Sequence, residues 1–213
     1  MHWTFRHAMA VPAVVVSVMA SASCGNVVRQ GRSPAFLVVD LLTAASGARP
    51  GTFGQTLESD VVTYVTETVG GQQVKVATIF EDLGQVQLRI LLKDQGSPGA
   101  PATPSNINNI TINRYRVVYR RADGRNVPGV DVPYPFDGAV TGTITNTPVQ
   151  LSFILVRIQA KLEAPLKALA GGGGSVAIST IADVTFYGQD LAGNEVECVG
   201  TLSVNFADWG DPQ

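Results

Sequence analysis

The stretch "ITINRYRVVYRRADGR", residues 110–125, decides the fold. Apolar side chains alternate with arginines along it, and a period of two residues places side chains on opposite faces of a β-strand. The set expected to point inward is Tyr115, Val117 and Tyr119, and the set expected to point outward is Arg114, Arg116 and Arg120. The pattern predicts a strand in a sheet that has one buried and one solvated face.

In the rest of the chain, apolar segments alternate with clusters of the turn-forming residues Gly, Pro, Asn and Asp, which is typical of β-strands joined by turns. We predict about nine strands: 35–44, 61–69, 74–82, 85–94, 110–125, 139–147, 149–161, 176–188 and 195–210. The first run is almost continuously apolar, which favours burial on both faces. Residues 45–60 and 95–109 are predicted to be long connections between strands. We expect one hairpin across Pro148 and another across "QDLAGN", residues 189–194. No long helix is predicted, and an antiparallel two-sheet sandwich buries such strands most simply.

Two patches resemble known domain families. The strand at 110–125 resembles the Tyr-x-Val-x-Tyr strand of fibronectin type III domains. Residues 184–206 are similar to the last hairpin of bacterial immunoglobulin-like domains, with Asp190, Gly193 and Asn194 at its turn. The resemblance implies an immunoglobulin/fibronectin-like sandwich. Either extra strands or two fused sandwiches are also implied, because the processed chain of about 190 residues is nearly twice as long as such a domain. As a whole, the chain resembles uncharacterised bacterial lipoproteins with a β-sandwich domain.

The N-terminal residues predict a secretory signal peptide over 1–23, a tether over 24–34 and the β-sandwich domain over 35–213. The apolar run from Ala8 to Ala20 is shorter than the about 20 residues of a membrane-spanning helix. Ser21-Ala-Ser-Cys24 resembles the lipobox of bacterial lipoproteins, although Ser21 stands where that motif usually has Leu. The resemblance implies acylation of Cys24 and, because Gly25 is not Asp, outer-membrane sorting. Acylation of Cys24 has two alternatives: secretion after cleavage behind Ala22, and a disulfide between Cys24 and Cys198.

Composition excludes several classes of function. The only histidines, His2 and His7, lie in the predicted signal peptide, so the processed chain has none. It therefore cannot form a Ser-His-Asp or Cys-His catalytic site or a histidine-ligated metal site. With a net charge of -2, the chain lacks the overall positive charge that is typical of nucleic-acid-binding proteins. We predict no catalytic residue, metal or cofactor. Glu195 and Glu197 alternate on one strand face and offer the one carboxylate pair for glycan hydrolysis, but no cleft is evident around them.

Two groups are candidates for binding. Arg114, Arg116 and Arg120 suit carboxylates and phosphates of an acidic partner, a sugar or a lipid headgroup, or else form a solvated face that acidic residues neutralise. Tyr134 and Phe136, together with Trp209, suit stacking on sugars, or else pack against the end of the sandwich.

These observations predict a non-enzymatic cell-envelope lipoprotein that is anchored to the outer membrane through Cys24 and faces the periplasm or the outside. We expect it to act as a binding or structural module for a protein or an envelope polysaccharide. A carboxylate-dependent glycan hydrolase and a carbohydrate-binding module are the alternatives, as is secretion for the location.

Overall fold

The computed structural model describes residues 31–210, and these residues form an all-β domain. Its strands are β1 (Ala35–Ala45), β2 (Thr56–Asp60), β3 (Thr63–Val69), β4 (Gln72–Thr78), β5 (Asp82–Leu92), β6 (Gly96–Ser97), β7 (Ala100–Pro101), β8 (Ile110–Arg120), β9 (Phe136–Ile144), β10 (Val149–Val156), β11 (Ile178–Asp190) and β12 (Glu195–Ala207). The helical elements are α1 (Ile158–Leu162) and 3-10 turns at Asn106–Asn108 and Leu166–Leu169. No helix among these residues has the length and hydropathy needed to cross a membrane.

Two larger sheets carry the domain. One has three antiparallel strands in the order β1-β5-β10, and the other has five in the order β2-β12-β11-β8-β9. All neighbours in the five-stranded sheet are antiparallel except β2, which runs parallel to β12. Strands β3 and β4 pair only with each other among the described residues, and so do the two-residue strands β6 and β7. We call the β3–β4 hairpin the ribbon.

The core lies between the two larger sheets and is built from the alternating inward side chains of both. In β8 the inward set is the predicted one, and each of its three side chains is at most 3% exposed. Tyr115 and Tyr119 also join the sheets: their hydroxyls donate to the carbonyls of Ile154 (3.0 Å) and Leu155 (2.5 Å) in β10. A buried phenol needs such a partner, and burial raises the pKa of the Tyr119 hydroxyl.

The all-β class, the inward face of β8 and the hairpin at residues 189–194 are confirmed. In that hairpin, β11 and β12 pair along their whole length, with Gln189 opposite Glu195 at the turn. Asp190 closes the turn by accepting hydrogen bonds from the backbone N–H groups of Ala192 (3.0 Å) and Asn194 (2.8 Å). An Asp that bonds the backbone two residues on is a common turn device.

Three predictions about the strands are wrong. The run 139–147 forms no hairpin ladder with 149–161, because β9 pairs with β8 while β10 pairs with β5, and the chain passes between sheets at Pro148. Strand β1 is an edge strand with one open face, where Phe36 is 52% exposed, and is not buried on both faces. Residues 45–60 are not all connection, because their last five form β2.

The strand registers divide the domain into two ends. At one end Ala35 of β1 pairs with Leu92 of β5, and Ser33, two residues before Ala35, is buried and hydrogen-bonds Asp190 of the 189–194 turn. We call this end the tether pole. The opposite end of β5, about 35 Å away by strand rise, begins at Asp82 and carries the loop 46–54, the ribbon, α1 and residues 208–210. We call it the distal pole. The predicted signal peptide and Cys24 lie outside the described residues.

Candidate functional site

The three predicted arginines lie together on the outer face of β8, each beside a carboxylate. Arg114 and Arg116 share Asp137 of β9, with nitrogen–oxygen distances of 2.8 and 2.9 Å. Arg120 pairs with Asp183 of β11. The Arg114 guanidinium also lies over the ring of Tyr187, 3.9 Å from its centroid. The outer face is therefore a ladder of cross-strand ion pairs, in which two carboxylates offset most of the charge of three guanidinium groups.

Of the three aromatic residues predicted to stack on sugars, Tyr134 and Phe136 do not form a common surface. Phe136 begins β9 and is only 6% exposed, and the guanidinium of Arg157 lies 4.2 Å from its ring centroid. Tyr134 is 52% exposed, and its ring folds back against Gly129 in its own loop. A β-carbon at Gly129 would stand 2.3 Å from the Tyr134 hydroxyl. Phe136 thus offers no open ring face to a ligand.

Strand β12 carries the predicted carboxylate pair and the one thiol in the described part of the chain. Glu195 and Glu197 are exposed, on the side of the strand opposite the buried Val196. The thiol of Cys198 is free and packs against the core. Burial, and next the nearby charge of Glu197, raise the pKa of that thiol to about 12. A thiol with such a pKa is a weak nucleophile at neutral pH.

The distal pole holds a cleft that sequence patterns do not reveal. The loop 46–54, strand β2 and the end of the described chain enclose a volume of about 210 Å³. Its walls include Ser46, Arg49, Thr52, Phe53, Glu58, Asp60 and Trp209. Arg49 donates to the carbonyl of Gly210 (3.1 Å), and Glu58 has no ion-pair partner among residues 31–210. The cleft therefore combines the guanidinium of Arg49, the carboxylate of Glu58 and two aromatic rings.

Trp209 is fixed in place by Asp60. The Trp209 backbone N–H donates to one Asp60 oxygen (3.0 Å), and the Thr63 hydroxyl donates to the other (2.6 Å). The indole Nε1 donates to the carbonyl of Asn205 (3.3 Å), and one ring edge lies against Gly174. Burial raises the pKa of Asp60 despite these hydrogen bonds, and nearby Asp208 adds to the rise.

A buried carboxylate holds the walls of the cleft together. Asp82, at the start of β5, accepts hydrogen bonds from the Gly47 backbone (2.8 Å), the Ser59 hydroxyl (2.6 Å) and the Lys161 ammonium (2.9 Å). These groups belong to the loop 46–54, to β2 and to α1. Gly54 closes the loop by exchanging two 2.9 Å backbone hydrogen bonds with Ala44 of β1. The loop is thus held at both ends by hydrogen bonds within the domain.

An apolar cavity of about 360 Å³ lies next to the cleft, on the other side of Phe53. Its walls include Pro50, Phe53, Phe80 and Leu83, and Ser46 and Phe53 line both spaces. Leu83 is 40% exposed, so part of this apolar wall is open to solvent. The distal pole therefore offers a polar space and an apolar space side by side.

Sequence reasoning named only Trp209 among the residues that line the cleft. Arg49, Phe53 and Glu58 lie in a segment predicted to be a connection, without a motif to mark them. One signal was available: an aromatic residue between two glycines, Gly51 and Gly54, in an otherwise polar loop. That signal indicates a packed loop but does not identify what the loop packs against.

No family model, no curated protein and no solved structure matches this chain.

Proposed function

We propose that the protein is a non-enzymatic lipoprotein of the bacterial cell envelope that binds a partner protein or an envelope polymer through its distal pole. Acyl chains on Cys24 would attach it to the outer membrane, since two or more chains give durable anchoring. One observation carries the proposal: Ser33, near the end of the predicted tether, and the cleft lie at opposite ends of β5. An anchored domain with this polarity presents the cleft away from the membrane.

The make-up of the distal pole supports binding there. The ribbon extends from the two larger sheets and exposes apolar side chains, among them Val69 (59%) and Val74 (42%). An isolated two-stranded ribbon is only marginally stable in water, and its open edges suit pairing with another chain. The cleft beside it is held by buried hydrogen bonds, which lowers the ordering cost of binding. The exposed Glu195 and Glu197 line neither cavity, which favours binding over hydrolysis.

We also propose that the domain is an elaborated immunoglobulin-like sandwich. In support, the Tyr-x-Val-x-Tyr strand is β8 and its two rings point into the core. The Asp-x-x-Gly-Asn turn joins β11 and β12, with Gly193 at a φ of 79°. Positive φ is the conformation that glycine adopts at least cost.

Anchoring is tested by labelling cells that express the full chain with radioactive palmitate. We expect label in the wild-type protein and none in Cys24→Ser, because serine cannot be acylated by the lipoprotein pathway. Equal labelling of both proteins, or no labelling of either, would remove the anchor from the proposal.

Binding is tested by photo-cross-linking in intact envelopes. A photoreactive amino acid replaces Val74 on the ribbon or, as the matched control, Leu191 in the turn at the tether pole; these side chains are 42% and 63% exposed. We expect adducts with protein or glycan from position 74 and none from position 191. Adducts from position 191 alone would show that the partner contacts the other end of the domain.

A further inference from the structure

We propose that the cleft binds one sugar ring of a neutral saccharide chain, with Trp209 and Phe53 against the ring and Arg49 and Glu58 at its hydroxyls. This inference rests on the proposed function and deepens it, because it selects a glycan as the envelope polymer. It also assigns a site on the distal pole that is separate from the arginine ladder of β8.

The size of the cleft sets the size of the ligand. Drug-sized ligands occupy pockets of about 300–1,000 Å³, and the cleft encloses about 210 Å³. It therefore accommodates one ring. The exposed wall residues Arg49, Thr52 and Glu58 leave its mouth open to solvent, so the neighbouring sugars of a chain can continue outside.

The charges of the cleft favour a neutral ligand. Arg49 and Glu58 bring opposite charges to the same small space, and no ion pair joins them. An anion would face the carboxylate of Glu58, and a cation would face the guanidinium of Arg49. Hydroxyl groups both donate and accept hydrogen bonds, so they can satisfy a guanidinium and a carboxylate at once. A polyhydroxylated neutral ligand fits this pair best.

The aromatic rings supply the apolar part of the contact. One face of a sugar ring presents mainly C–H groups, which pack on an aromatic ring and bury apolar area. The hydrogen bonds from Trp209 to Asp60 and Asn205, and the contact with Gly174, hold the indole before a ligand arrives. Little side-chain entropy is then lost on binding.

The apolar cavity behind Phe53 indicates which sugars bind more tightly. Phe80 and Leu83 line that cavity, which shares Ser46 and Phe53 with the cleft. A sugar that carries an acyl substituent can place its methyl group against these side chains. N-acetylated rings should therefore bind more tightly than rings with a free hydroxyl at that position.

The test is a fluorescence titration of the full chain in detergent. The only tryptophans are Trp3 and Trp209, and Trp3 lies in the predicted signal peptide, so Trp209 is the sole tryptophan of the processed protein. Trp3→Phe ensures the same in any protein that is not processed. The probes are the trimer of N-acetylglucosamine, the trimer of glucose joined by β-1,4 bonds, and heparin as an anionic polysaccharide. We expect saturable changes with both neutral trimers, tighter binding of the acetylated one, and no saturable change with heparin.

Two variants locate the site without disturbing the core, because both side chains are exposed. Arg49→Ala and Glu58→Gln should each weaken binding of the acetylated trimer about tenfold to a hundredfold, the range expected for one lost hydrogen bond to a charged group. Glu197→Gln, the same change at an exposed position on β12, should leave binding unchanged. Circular dichroism checks that each variant is folded.

The inference is overturned if neither neutral trimer gives a saturable signal, if heparin alone does, or if both cleft variants bind like the wild type. Cross-linking from position 74 separates this failure from failure of the proposed function. Adducts with a protein there, together with no glycan binding, would retain the binding module and reject the saccharide.

Discussion

Lys161 Nζ lies 2.9 Å from Asp82 Oδ1, and the two side chains are 1% and 0% exposed. Such a pair loses two hydration shells on folding, so its net contribution to the free energy of unfolding is small even though the loss of one partner is costly. Here the pair also joins α1 to β5. Because Asp82 further accepts hydrogen bonds from Gly47 and Ser59, the carboxylate couples α1 to the loop and the strand that form the cleft.

Replacing one partner should therefore be worse than replacing both. Lys161→Met leaves a buried carboxylate without its cation and should lower the free energy of unfolding by about 3–5 kcal/mol. The double variant Asp82→Asn/Lys161→Met removes both charges and should recover part of that loss. Urea denaturation of the wild type, of Lys161→Met, of Asp82→Asn and of the double variant measures the coupling energy. Additive effects of the two substitutions would show that the ion pair is not a unit.

Gly84 of β5 should not tolerate a side chain. A β-carbon there would lie 2.4 Å from the Phe153 ring, which crosses Gly84 from the neighbouring strand β10. Gly84→Ala forces the ring or the strand to move and should cost about 1–3 kcal/mol of stability, as overpacking of a core does. The control is Gly99→Ala in an exposed loop, where a β-carbon meets no atom within 4 Å. Thermal unfolding of both variants tests this, and equal melting temperatures would contradict it.

Alternation in the sequence was sufficient to predict the strands whose two faces differ. Strands β5, β8, β11 and β12 alternate buried and less buried side chains, because one face packs on the core and the other does not. Pairing between distant segments was harder. The parallel pairing of β2 with β12 depends on a contact across about 150 residues, and no local pattern encodes it.

The cleft could not be predicted for the same reason. Arg49, Glu58 and Trp209 meet only because β2 lies beside β12 and the chain after β12 crosses Asp60. The arginine ladder could be predicted in part: alternation placed the arginines on one face, but not the carboxylates of Asp137 and Asp183 beside them. Those carboxylates come from strands whose register with β8 is set by the whole sheet.

Asp60 should make stability fall as pH rises. Its pKa is raised in the folded protein, mainly by burial, so the folded state holds the proton more tightly than the unfolded chain does. The stability that this proton binding provides is present at low pH and is lost as pH rises from the unfolded value near 3.8 through the folded value. Asp60→Asn removes the titration. Urea denaturation between pH 4 and pH 7 should show the wild type losing stability relative to the variant as pH rises.

Asp190 provides the opposite trend as a control. Burial raises its pKa, but the hydrogen bonds from Asn194, Ser33 and Ala192 outweigh burial and lower it overall. Its contribution is therefore present above pH 3.8 and is lost as pH falls through the folded value. The wild type should therefore lose the stability that Asp190 provides at acid pH, and the Asp190→Asn variant should not show this loss. If the stability of the wild type relative to each variant changed with pH in the same direction for Asp60→Asn and Asp190→Asn, the opposite pKa shifts assigned to these two residues would be contradicted.

Asp137 should suppress anion binding by the arginine ladder. Its carboxylate engages Arg114 and Arg116 together, and Asp137→Ala leaves both guanidinium groups open to other anions. The variant should elute from heparin at higher salt than the wild type. Its free energy of unfolding should change by less than about 1 kcal/mol, because the pairs are exposed. Glu67→Ala on the ribbon removes the same charge away from these arginines. Equal shifts for both variants would mean that only net charge matters.

Cys198 should react slowly as long as the domain stays folded. With a pKa of about 12, its thiolate fraction at pH 8 is roughly a thousandfold lower than that of an unperturbed thiol, and the thiolate is the reactive form. In a Cys24→Ala chain, where Cys198 is the sole cysteine, a thiol reagent should label the native protein slowly and the urea-unfolded protein fast. The control moves the thiol one residue, to the 55% exposed Val199, in Cys24→Ala/Cys198→Ala/Val199→Cys. That protein should react fast in both states, because its side chain points to solvent. Fast native labelling of Cys198 would show that the strand opens at this position.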